Sequence, residues 1–545
     1  MIYDVIIIGG GIAGLMAALE AKDGSNRVAV ITKGNVLKSN SAVASGGINA
    51  VLDDNDKEGI AKHVEDTLES AKGLADKKTV TYMCKKAPHI IKKLSEYGVK
   101  FDCGANGAIL QRSFGGSSDK RTCFVGDNTG AFITQALIKK ARQLGVEFLS
   151  NIFVMDIVKT HGHISGVVAL KRVDSSVIVY LAKAVVFAGG GYGGVYRGFS
   201  TNPQDTNGDL LAIALRNGIA LEDMEFVQFH PTGFAKSGAL ISEAARAEGG
   251  VLVNDRNENF IDELDTRDVI ARAIFEQIEV GRKVYIDMRH IAKEVLLSRV
   301  PSLYKNALSM AGIDISSELL EVRAVAHYTM GGIKSSFTTT SLRGLFVCGE
   351  CAALGVHGAN RLGGNSLLEG AVFGELAGKK AREFVKDKSF SHIDYDVVIK
   401  NINLVGRIFE WEGTKNFNAM RISAGKVMYS KVGIVREEGG LLEALDYIKY
   451  LRTESASLHC IDKSRENNVE LIAILELKNI LQICEAVILA ALYRKESRGA
   501  HFRRDFELTD KEQEKHIQIK QLEGRFFRVQ YEDNKFIKFL IKIFH

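Results

Sequence analysis

The sequence predicts an α/β fold built around a discontinuous Rossmann-like nucleotide-binding domain. A short apolar run at 4–8 (DVIII) leads directly into the glycines at 9–14 (GGGIAG) and then into a helical stretch at 15–22. Apolar segments that run into glycines recur at 184–191 and 344–350. Because one nucleotide domain can collect several such segments, we expect a second domain to be inserted within it.

The three glycines of the first turn have separable roles in such a domain. Gly9 permits the tight turn, Gly11 lets the backbone approach a pyrophosphate, and Gly14 allows the helix to pack closely on the strand. The second strand, 27–32, is followed by Lys33 and not by the acidic residue that usually holds a ribose. The cofactor contact at this position is therefore expected to differ from the usual one.

Length and composition limit the classes of protein to which the chain can belong. A chain of 545 residues predicts two or three domains, and 53 glycines with only 4 prolines favour a fold whose backbone approaches a nucleotide. The 71 basic and 66 acidic side chains are too balanced to indicate nucleic acid binding. Seven irregularly spaced cysteines favour a reducing compartment. With no signal peptide and no run of roughly 20 apolar residues, a cytoplasmic protein is expected.

Four motifs carry a resemblance to a known family. They are QFHPT at 228–232, TRD at 266–268, HYTMGG at 327–332 and HGANRLGGNS at 357–366. In this order they resemble the signatures of the succinate dehydrogenase, fumarate reductase and L-aspartate oxidase flavoproteins. The resemblance runs to ESRGAH at 496–501 and leaves about 502 to 545 unmatched.

This resemblance implies a domain organisation and an FAD site. An FAD-binding domain would comprise 1–228 and 329–388, an α+β capping domain 229–328, a helical domain 389–495 and a carboxy-terminal tail 496–545. Apolar residues at helical spacing in 441–451 and 469–494 support the helical part. The residues implied to surround FAD are Gly9, Gly11, Gly14, Lys33, Ser39, Gly46, Gly47, Asp209, Glu350, Ser366 and Leu367.

The family's chemistry implies a C4 dicarboxylate substrate, and its two charges demand cationic and hydrogen-bonding groups at both ends. His327 and Arg361 would hold one carboxylate, and a guanidinium suits a bidentate grip. His230, Ser242 and Glu243 would surround the other end. Arg267 would donate the proton that completes fumarate reduction, with Glu243 and Arg246 as its relay. Arginine normally holds its proton above pH 12, so such a role requires prompt reprotonation.

Three readings of the function follow. Many relatives attach FAD covalently to a histidine, but the matching position here is Asn40, so non-covalent FAD and fumarate reduction are expected. L-Aspartate oxidase is the main alternative. Those oxidases tend to carry a glutamate where this chain has Phe114, and an unpaired substrate ammonium would be costly there. A flavoprotein that lost catalysis is the third reading, against which the retained arginines and histidines argue.

The electron partner must lie outside this chain. The sequence holds no cysteine cluster suited to an iron–sulfur centre and no CxxCH haem motif. The resemblance implies an iron–sulfur subunit and a possible membrane anchor, with the tail as a docking element or a solvated amphipathic end. The CxxC pair Cys348 and Cys351 and the helical His63 are expected to be structural, and no metal site is predicted.

Overall fold

The computed structural model of the protein describes residues 1–263, 265–390, 395–522 and 527–532. Its strands are β1 (Ile2–Ile8), β2 (Val28–Ile31), β3 (Ile48–Asn49), β4 (Gln111–Arg112), β5 (Thr122–Cys123), β6 (Glu147–Leu149), β7 (Ile152–Thr160), β8 (His163–Lys171), β9 (Val177–Phe187), β10 (Leu221–Glu222), β11 (Val227–Phe234), β12 (Val251–Asn254), β13 (Val284–Asp287), β14 (Leu320–Thr329), β15 (Gly332–Lys334), β16 (Leu345–Val347), β17 (Ala352–Ala353), β18 (Val435–Arg436), β19 (Phe502–Arg503), β20 (Ile517–Gln521) and β21 (Phe527–Tyr531).

The α-helices follow the same chain order. They are α1 (Ile12–Ala21), α2 (Lys57–Ser70), α3 (Lys77–Glu96), α4 (Thr129–Gln143), α5 (Asp209–Arg216), α6 (Ala244–Ala247), α7 (Arg267–Glu279), α8 (Lys293–Arg299), α9 (Pro301–Asn306), α10 (Asn365–Val385), α11 (Tyr395–Glu410), α12 (Phe417–Lys431), α13 (Glu438–Glu454) and α14 (Val469–Tyr493). Among the described residues, no helix combines the length and the apolar character needed to cross a bilayer.

The central sheet brings the three predicted strand-then-glycine segments together. Its strands lie in the order β6, β2, β1, β9, β8, β7, and β16 also pairs with β9. The pairs of β1 with β2 and β9, and of β9 with β16, are parallel. Carboxyl ends of parallel strands meet at one edge of a sheet, so the glycine turns after β1, β9 and β16 converge there. The predicted α/β fold is confirmed.

Helices α1 and α10 pack closely because glycines form a stripe along one side of α10. A Cβ built on Gly374 would lie 2.4 Å from the carbonyl oxygen of Ala13, and one on Gly378 would lie 2.2 Å from that of Ala17. Only glycine permits such an approach of two helices. This packing fixes the amino terminus of α10 beside the first glycine turn.

A four-stranded antiparallel sheet lies within and just around the region predicted as the capping domain. Its strands have the order β11, β14, β13, β12, and α7 packs beside β11. The register of β11 against β14 is interrupted after Gln228 and after His230. Such irregularities redirect side chains, and here they occur in one of the predicted motifs.

The helical region, which comprises helices α11 to α14, centres on α14. The sequence of α14 is apolar on all sides, and its residues are mostly buried. It packs against α13, α12 and α5. Glu476 is a buried charge within this apolar run. Charged side chains are seldom buried unless they are paired, so its position indicates a partner across the interface with α5.

The described part of the segment predicted as a tail, 496–545, is integrated into the fold. Strand β20 pairs with β10 and with β21, and the five-stranded sheet has the order β17, β15, β10, β20, β21. His516 Nδ1 lies 2.6 Å from Asp223 Oδ2 beside this junction. These contacts tie the carboxy-terminal strands to the nucleotide-binding part of the chain.

Candidate active site

A large cavity, about 1730 Å³ in volume, lies where the glycine turns meet the four-stranded sheet. Eight of the predicted cofactor residues line it, namely Gly9, Gly11, Lys33, Ser39, Asp209, Glu350, Ser366 and Leu367. Gly14, Gly46 and Gly47 are absent from this lining in the described part of the chain. Four of the seven predicted catalytic residues, Ser242, Glu243, Arg246 and His327, line the same cavity, whereas His230, Arg267 and Arg361 are absent from its lining in the described part of the chain.

The first glycine turn forms a cradle at one side of the cavity. Gly9 has φ +117°, and a Cβ on it would lie 2.0 Å from the carbonyl oxygen of Ala188. A Cβ on Gly14 would lie 2.0 Å from the carbonyl oxygen of Gly9, so Gly14 permits packing and not ligand approach. Ser41 Oγ accepts a hydrogen bond from the Ile12 amide at 3.0 Å. The backbone at 9–13, which lines the cavity, and the helix amino terminus suit a pyrophosphate.

Gly46 and Gly47 lie outside the cavity lining and allow close packing of the segment next to it. Gly47 has φ +125°, and a Cβ on it would lie 2.6 Å from the carbonyl oxygen of Cys123. A Cβ on Gly46 would lie 3.0 Å from Cζ of Phe114. Arg112, which lines the cavity, donates to the carbonyl oxygens of Ser45 and Gly46. Both glycines thus let this segment pack against neighbouring backbone and the Phe114 ring.

Lys33 lies in an ionic cluster that includes the helical region. Its Nζ donates to Asp209 Oδ2 at 2.6 Å and to Glu476 Oε1 at 2.7 Å. Burial alone would lower the pKa of Lys33, but Asp209 and Glu476 outweigh it, and the pKa lies above its usual value. Lys33 and Asp209 were predicted to lie near the cofactor, whereas Glu476 was not foreseen. The one signal for Glu476 is a glutamate inside an apolar helix.

Glu350 and the amino terminus of α10 form a further part of the cavity wall, beside the first glycine turn. Glu350 Oε1 accepts from the amide of Thr329 at 3.0 Å and from its hydroxyl at 3.2 Å. Gly364, with φ +80°, precedes α10 and its residues Ser366 and Leu367. Glu369, one turn further, is buried, and burial followed by the charge of Glu350 raises its pKa to about 8.

Arg267 is bound to Glu243 by a forked ion pair. Its Nη2 and Nε donate to Glu243 Oε2 at 2.6 and 3.1 Å. Burial alone would raise the pKa of Glu243, but Arg267 and Arg246 outweigh it and lower the pKa to about 2. Glu243 Oε1 also accepts from the amide of Gly115 at 3.3 Å. Glu243 is therefore an ionised carboxylate between two arginines.

Gln228 joins the two arginines on which the predicted chemistry depends. Its Oε1 accepts from Arg267 Nη1 at 3.3 Å and from Arg361 Nη2 at 3.0 Å. Its Nε2 donates to Asn360 Oδ1 and to the carbonyl oxygen of Arg361. Gln228 was part of a predicted motif, but its bridging position was not foreseen, since sequence spacing does not reveal contacts across domains.

The two predicted histidines pack together. The rings of His230 and His327 have centroids 5.3 Å apart, and His327 Nδ1 lies 2.9 Å from Thr201 Oγ1. Burial, together with the nearby arginines, holds the pKa of both imidazoles well below the usual 6.5. Both are therefore neutral near pH 7, where each ring can donate one hydrogen bond.

Two arginines of the site, Arg361 and Arg246, have N–H groups that make no hydrogen bond to the described residues. Nε of Arg361 and both Nε and Nη2 of Arg246 are buried and without a hydrogen-bond partner among the described residues. The Arg361 guanidinium lies over the Tyr328 ring, 4.5 Å from its centroid, and burial followed by Arg267 lowers its pKa to about 10. Buried donors without partners are costly, so the arrangement suits an anion that would accept from them.

The remaining candidates take structural positions. Cys348 and Cys351 are free and buried, and burial raises the pKa of both thiols, to about 12 for Cys351. His63 is fully buried, and its Nε2 lies 3.0 Å from Asn365 Oδ1 at the start of α10. Buried thiols of raised pKa are unreactive.

The fold and the cavity define a class of protein, a dinucleotide-binding flavoprotein oxidoreductase. Residues 4–367 match the family model described as an FAD binding domain, and residues 421–543 match that of the fumarate reductase flavoprotein carboxy terminus. The chain therefore belongs to the succinate dehydrogenase and fumarate reductase family of flavoproteins, as the motifs predicted. The expectation that 502 to 545 is unmatched was wrong, because the second model extends to 543.

Individual proteins show the same likeness. The chain is 38% identical to an uncharacterized FAD-dependent oxidoreductase of Methanocaldococcus jannaschii, over 97% of this chain and 98% of that protein. It is 36% identical to the succinate dehydrogenase flavoprotein subunit of Rickettsia bellii, over 94% and 92%. A solved structure of the E. coli quinol fumarate reductase subunit FrdA superposes with a TM-score of 0.92 at 32% identity, covering 98% of this chain and 97% of that one.

Proposed function

We propose that this protein is the flavoprotein subunit of a fumarate reductase or succinate dehydrogenase, and that it interconverts fumarate and succinate. The observation that carries the proposal is the buried cluster in which Arg267 and Arg361 both donate to Gln228, Arg267 pairs with the Glu243 carboxylate, and Arg246 acts on Glu243 through its charge. The cluster lies at the end of the cavity formed by the four-stranded sheet.

The charge of the cluster suits a dianion. Arg246, Arg267 and Arg361 contribute three positive charges and Glu243 one negative charge, so these four side chains carry two positive charges. Glu350 also acts on Arg361, but burial raises the pKa of Glu350 and so disfavours its charged form. A C4 dicarboxylate carries two negative charges and would neutralise the cluster. Because a buried charge is costly without a partner, this match favours a dicarboxylate over a monocarboxylate or a neutral substrate.

We propose that the donors of the site hold the two carboxylates of the substrate. We assign one carboxylate to Arg361 and His327, and the other to His230 and the Ser242 hydroxyl. The imidazoles are neutral, so they orient the substrate by hydrogen bonds and add no charge. Arg361 stacks on Tyr328, which fixes the plane of its guanidinium for a bidentate contact.

Arg267 is assigned as the proton donor in fumarate reduction. When bound, FAD would supply the hydride that fumarate reduction requires. The Arg267 guanidinium would give its proton to the alkene carbon that does not receive the hydride. Loss of that proton removes the charge that keeps the pKa of Glu243 low, so Glu243 becomes a better proton acceptor. Glu243 then returns a proton to Arg267, and we assign Arg246, which lines the cavity beside it, as the next member of the relay.

The contacts of Phe114 argue against L-aspartate oxidase. A Cβ built on Gly363 would lie 3.4 Å from Phe114 Cβ, and one on Gly46 would lie 3.0 Å from its ring. Phe114 therefore lies between these glycines and presents an apolar face where an oxidase would need a carboxylate for the substrate ammonium. Glu243, the nearby acid, is engaged by Arg267.

We propose that FAD is bound without a covalent bond. Asn40 lines the cavity, and its carboxamide is not a nucleophile that could form a stable bond to flavin. Acid precipitation of the purified protein should therefore leave all yellow colour in the supernatant. Colour that remains in the pellet would refute this part of the proposal.

We propose an iron–sulfur subunit as the electron partner and a possible membrane anchor beyond it, with the complex at the cytoplasmic face of the membrane. Support comes from the Rickettsia bellii relative, which is named a flavoprotein subunit. The check is gentle purification from the source cells, where an iron–sulfur protein should remain bound at fixed stoichiometry. Recovery of the chain alone from both membrane and soluble fractions would count against it.

The deciding experiment is anaerobic. Purified, FAD-loaded protein is mixed with a reduced viologen dye, and oxidation of the dye is followed after addition of fumarate. A parallel sample receives L-aspartate and oxygen, and peroxide is measured. We expect rapid oxidation of the dye by fumarate and no aspartate-dependent peroxide. The opposite pattern would identify an aspartate oxidase, and inactivity in both assays would indicate a non-catalytic subunit.

A further inference from the structure

At the part of the cavity that we assign to the adenosine of FAD, side chains of the helical region contact the segments that form the lining. The lining there includes the segment after β2, with Lys33, and the loop that leads into α5, with Asp209. These two segments are far apart in the sequence, and neither is part of the helical region. Each is nonetheless bonded to residues of α12 or α14.

Glu476 of α14 is the centre of these bonds. Its Oε1 accepts from Lys33 at 2.7 Å, and its Oε2 lies 3.4 Å from Arg421 Nη1. Arg421 in turn donates to the carbonyl oxygen of Gln204 at 2.6 Å and to Asn207 Oδ1 at 2.9 Å. One carboxylate therefore connects the segment after β2 with the loop at 204–207.

A second residue of α14 strengthens the connection. Asn479 lies one turn after Glu476, and its Nδ2 donates to Asp209 Oδ1 at 2.8 Å. Asp209 accepts from Lys33 through its other oxygen at 2.6 Å. Because Glu476 and Asn479 project from the same face of a rigid, buried helix, they fix both cavity segments relative to each other.

The cluster is balanced in charge and almost closed to solvent. Lys33 and Arg421 face Asp209 and Glu476, and the Glu476 side chain is only 9% exposed. Removing one carboxylate would leave two buried cations that share a single acid. The segments would then separate or admit water, since a buried charge without a partner is costly.

We propose that Glu476 is a positioning residue for the cofactor: it locks the two segments that enclose the adenosine part of FAD and so sets how slowly FAD leaves the protein. The inference rests on the proposed non-covalent binding of FAD and not on the substrate. It gives the helical region a role in cofactor retention.

The test compares two substitutions of buried glutamates on the same helix. Glu476→Gln removes the charge at the cavity. Glu485→Gln removes a comparably buried charge of α14 that is paired with Arg452, away from the cavity lining. Release of FAD from the loaded protein is followed by the rise of flavin fluorescence on dilution, and thermal unfolding of the FAD-free form is measured in parallel.

We expect Glu476→Gln to release FAD at least about 10-fold faster than the unchanged protein, and Glu485→Gln to release it at the original rate. Unfolding temperatures of the FAD-free variants should fall in both cases, since Glu476 loses its ion pairs with Lys33 and Arg421 and Glu485 loses its pair with Arg452. Equal release rates in the two variants would overturn the inference, because a merely structural residue would affect stability alone. Flavin that stays with acid-precipitated protein would overturn it as well.

A second substitution covers the case in which Glu476→Gln does not fold. Asn479→Ala removes the hydrogen bonds to Asp209 and from Arg216 and leaves every charge of the cluster in place. We expect FAD release about 3-fold faster. Unchanged release would contradict the proposal. If FAD release depends on these residues but fumarate is not reduced, only the proposed reaction fails.

Discussion

The two ends of the cavity carry buried ionic clusters of different composition. At the end formed by the four-stranded sheet, which we assign to the substrate, three arginines lie near one carboxylate that pairs with Arg267, and several of their donors have no partner among the described residues. At the other end, which we assign to the adenosine part of FAD, two cations meet two carboxylates. The first cluster consists of Arg246, Arg267, Arg361 and Glu243, and the second of Lys33, Arg421, Asp209 and Glu476.

This difference in charge balance distinguishes a cluster that is suited to bind a ligand from one that is suited to support the fold. A buried donor without an acceptor costs free energy that a charged ligand can recover, so an unbalanced cluster is suited to bind. A balanced cluster has no such demand and instead holds chain segments in place. Substitutions that change the charge balance of a cluster should therefore have different effects at the two ends of the cavity.

The largest effect is expected for Arg267→Ala. Without the proton donor, fumarate reduction should fall by about 10³ to 10⁴-fold, the usual contribution of general acid catalysis with lost charge stabilisation. FAD content should remain unchanged, because Arg267 lies outside the cavity segments that carry the nucleotide cradle. The measurement is the viologen assay at saturating fumarate together with the flavin absorbance.

Arg272→Ala provides the matched control for that substitution. Arg272 lies on the same helix, α7, and pairs with Asp268 instead of Glu243. Its loss should leave turnover within about 2-fold of the original value, as expected away from the reacting groups. A comparable loss of turnover in both variants would show that α7 needs its charges for folding and not for proton transfer.

Arg361→Lys should have the next largest effect. Lysine keeps the charge but offers no fork for a carboxylate and no flat group to stack on Tyr328. We expect kcat/KM for fumarate to fall by about 100-fold, or roughly 3 kcal/mol of transition-state binding. Steady-state kinetics over a range of fumarate concentrations measures it, and a change below about 3-fold would contradict the assigned contact.

Gln228→Glu would make the substrate end resemble the adenosine end. The new carboxylate would lie between Arg267 and Arg361 and reduce the net charge of the cluster from two to one. The KM for fumarate should rise by about 10-fold, or roughly 1.4 kcal/mol, while thermal stability without substrate should hold or increase. Gln228→Leu serves as the uncharged control, and an unchanged KM in the glutamate variant would refute the charge argument.

Much of the fold could be predicted from the sequence because local patterns determine it. Apolar runs that end in glycines specify parallel strands that converge at one edge, and those at 4–8, 184–191 and 344–350 meet there in β1, β9 and β16. The pairing of β20 with β10 could not be predicted in the same way. Nearly 300 residues separate these strands, and no local pattern specifies a partner at that distance.

The residues of the candidate site likewise divide into those that the sequence could predict and those that it could not. Residues inside distinctive motifs, such as Arg267 and Arg361, were predicted and lie together in one cluster. Gln228 and Glu476 act through contacts between domains, which sequence spacing does not encode. Their residue types were visible, but their partners depend on how the helical region and the four-stranded sheet pack on the central sheet.

A third group of paired charges lies away from the cavity. We expect it to affect the stability of the protein and not its turnover. His516 lies 2.6 Å from Asp223, and the charge of Asp223 raises the pKa of His516 to about 10 despite burial. Burial and Asp223 also raise the pKa of the neighbouring Glu222 to about 7, and Lys334 and Glu532 complete the surroundings. This group joins the carboxy-terminal strand β20 to β10.

The sign of the pH dependence follows from these values. Between pH 6.5 and about 10 the folded protein keeps a proton on His516 that the unfolded chain releases, so the free energy of unfolding falls as pH rises through that range. Thermal unfolding from pH 6.5 to 10 should show a loss of about 1 to 3 kcal/mol. His516→Gln should flatten this slope and leave fumarate turnover at pH 7 unchanged, whereas an equally steep slope in the variant would assign the effect to other groups.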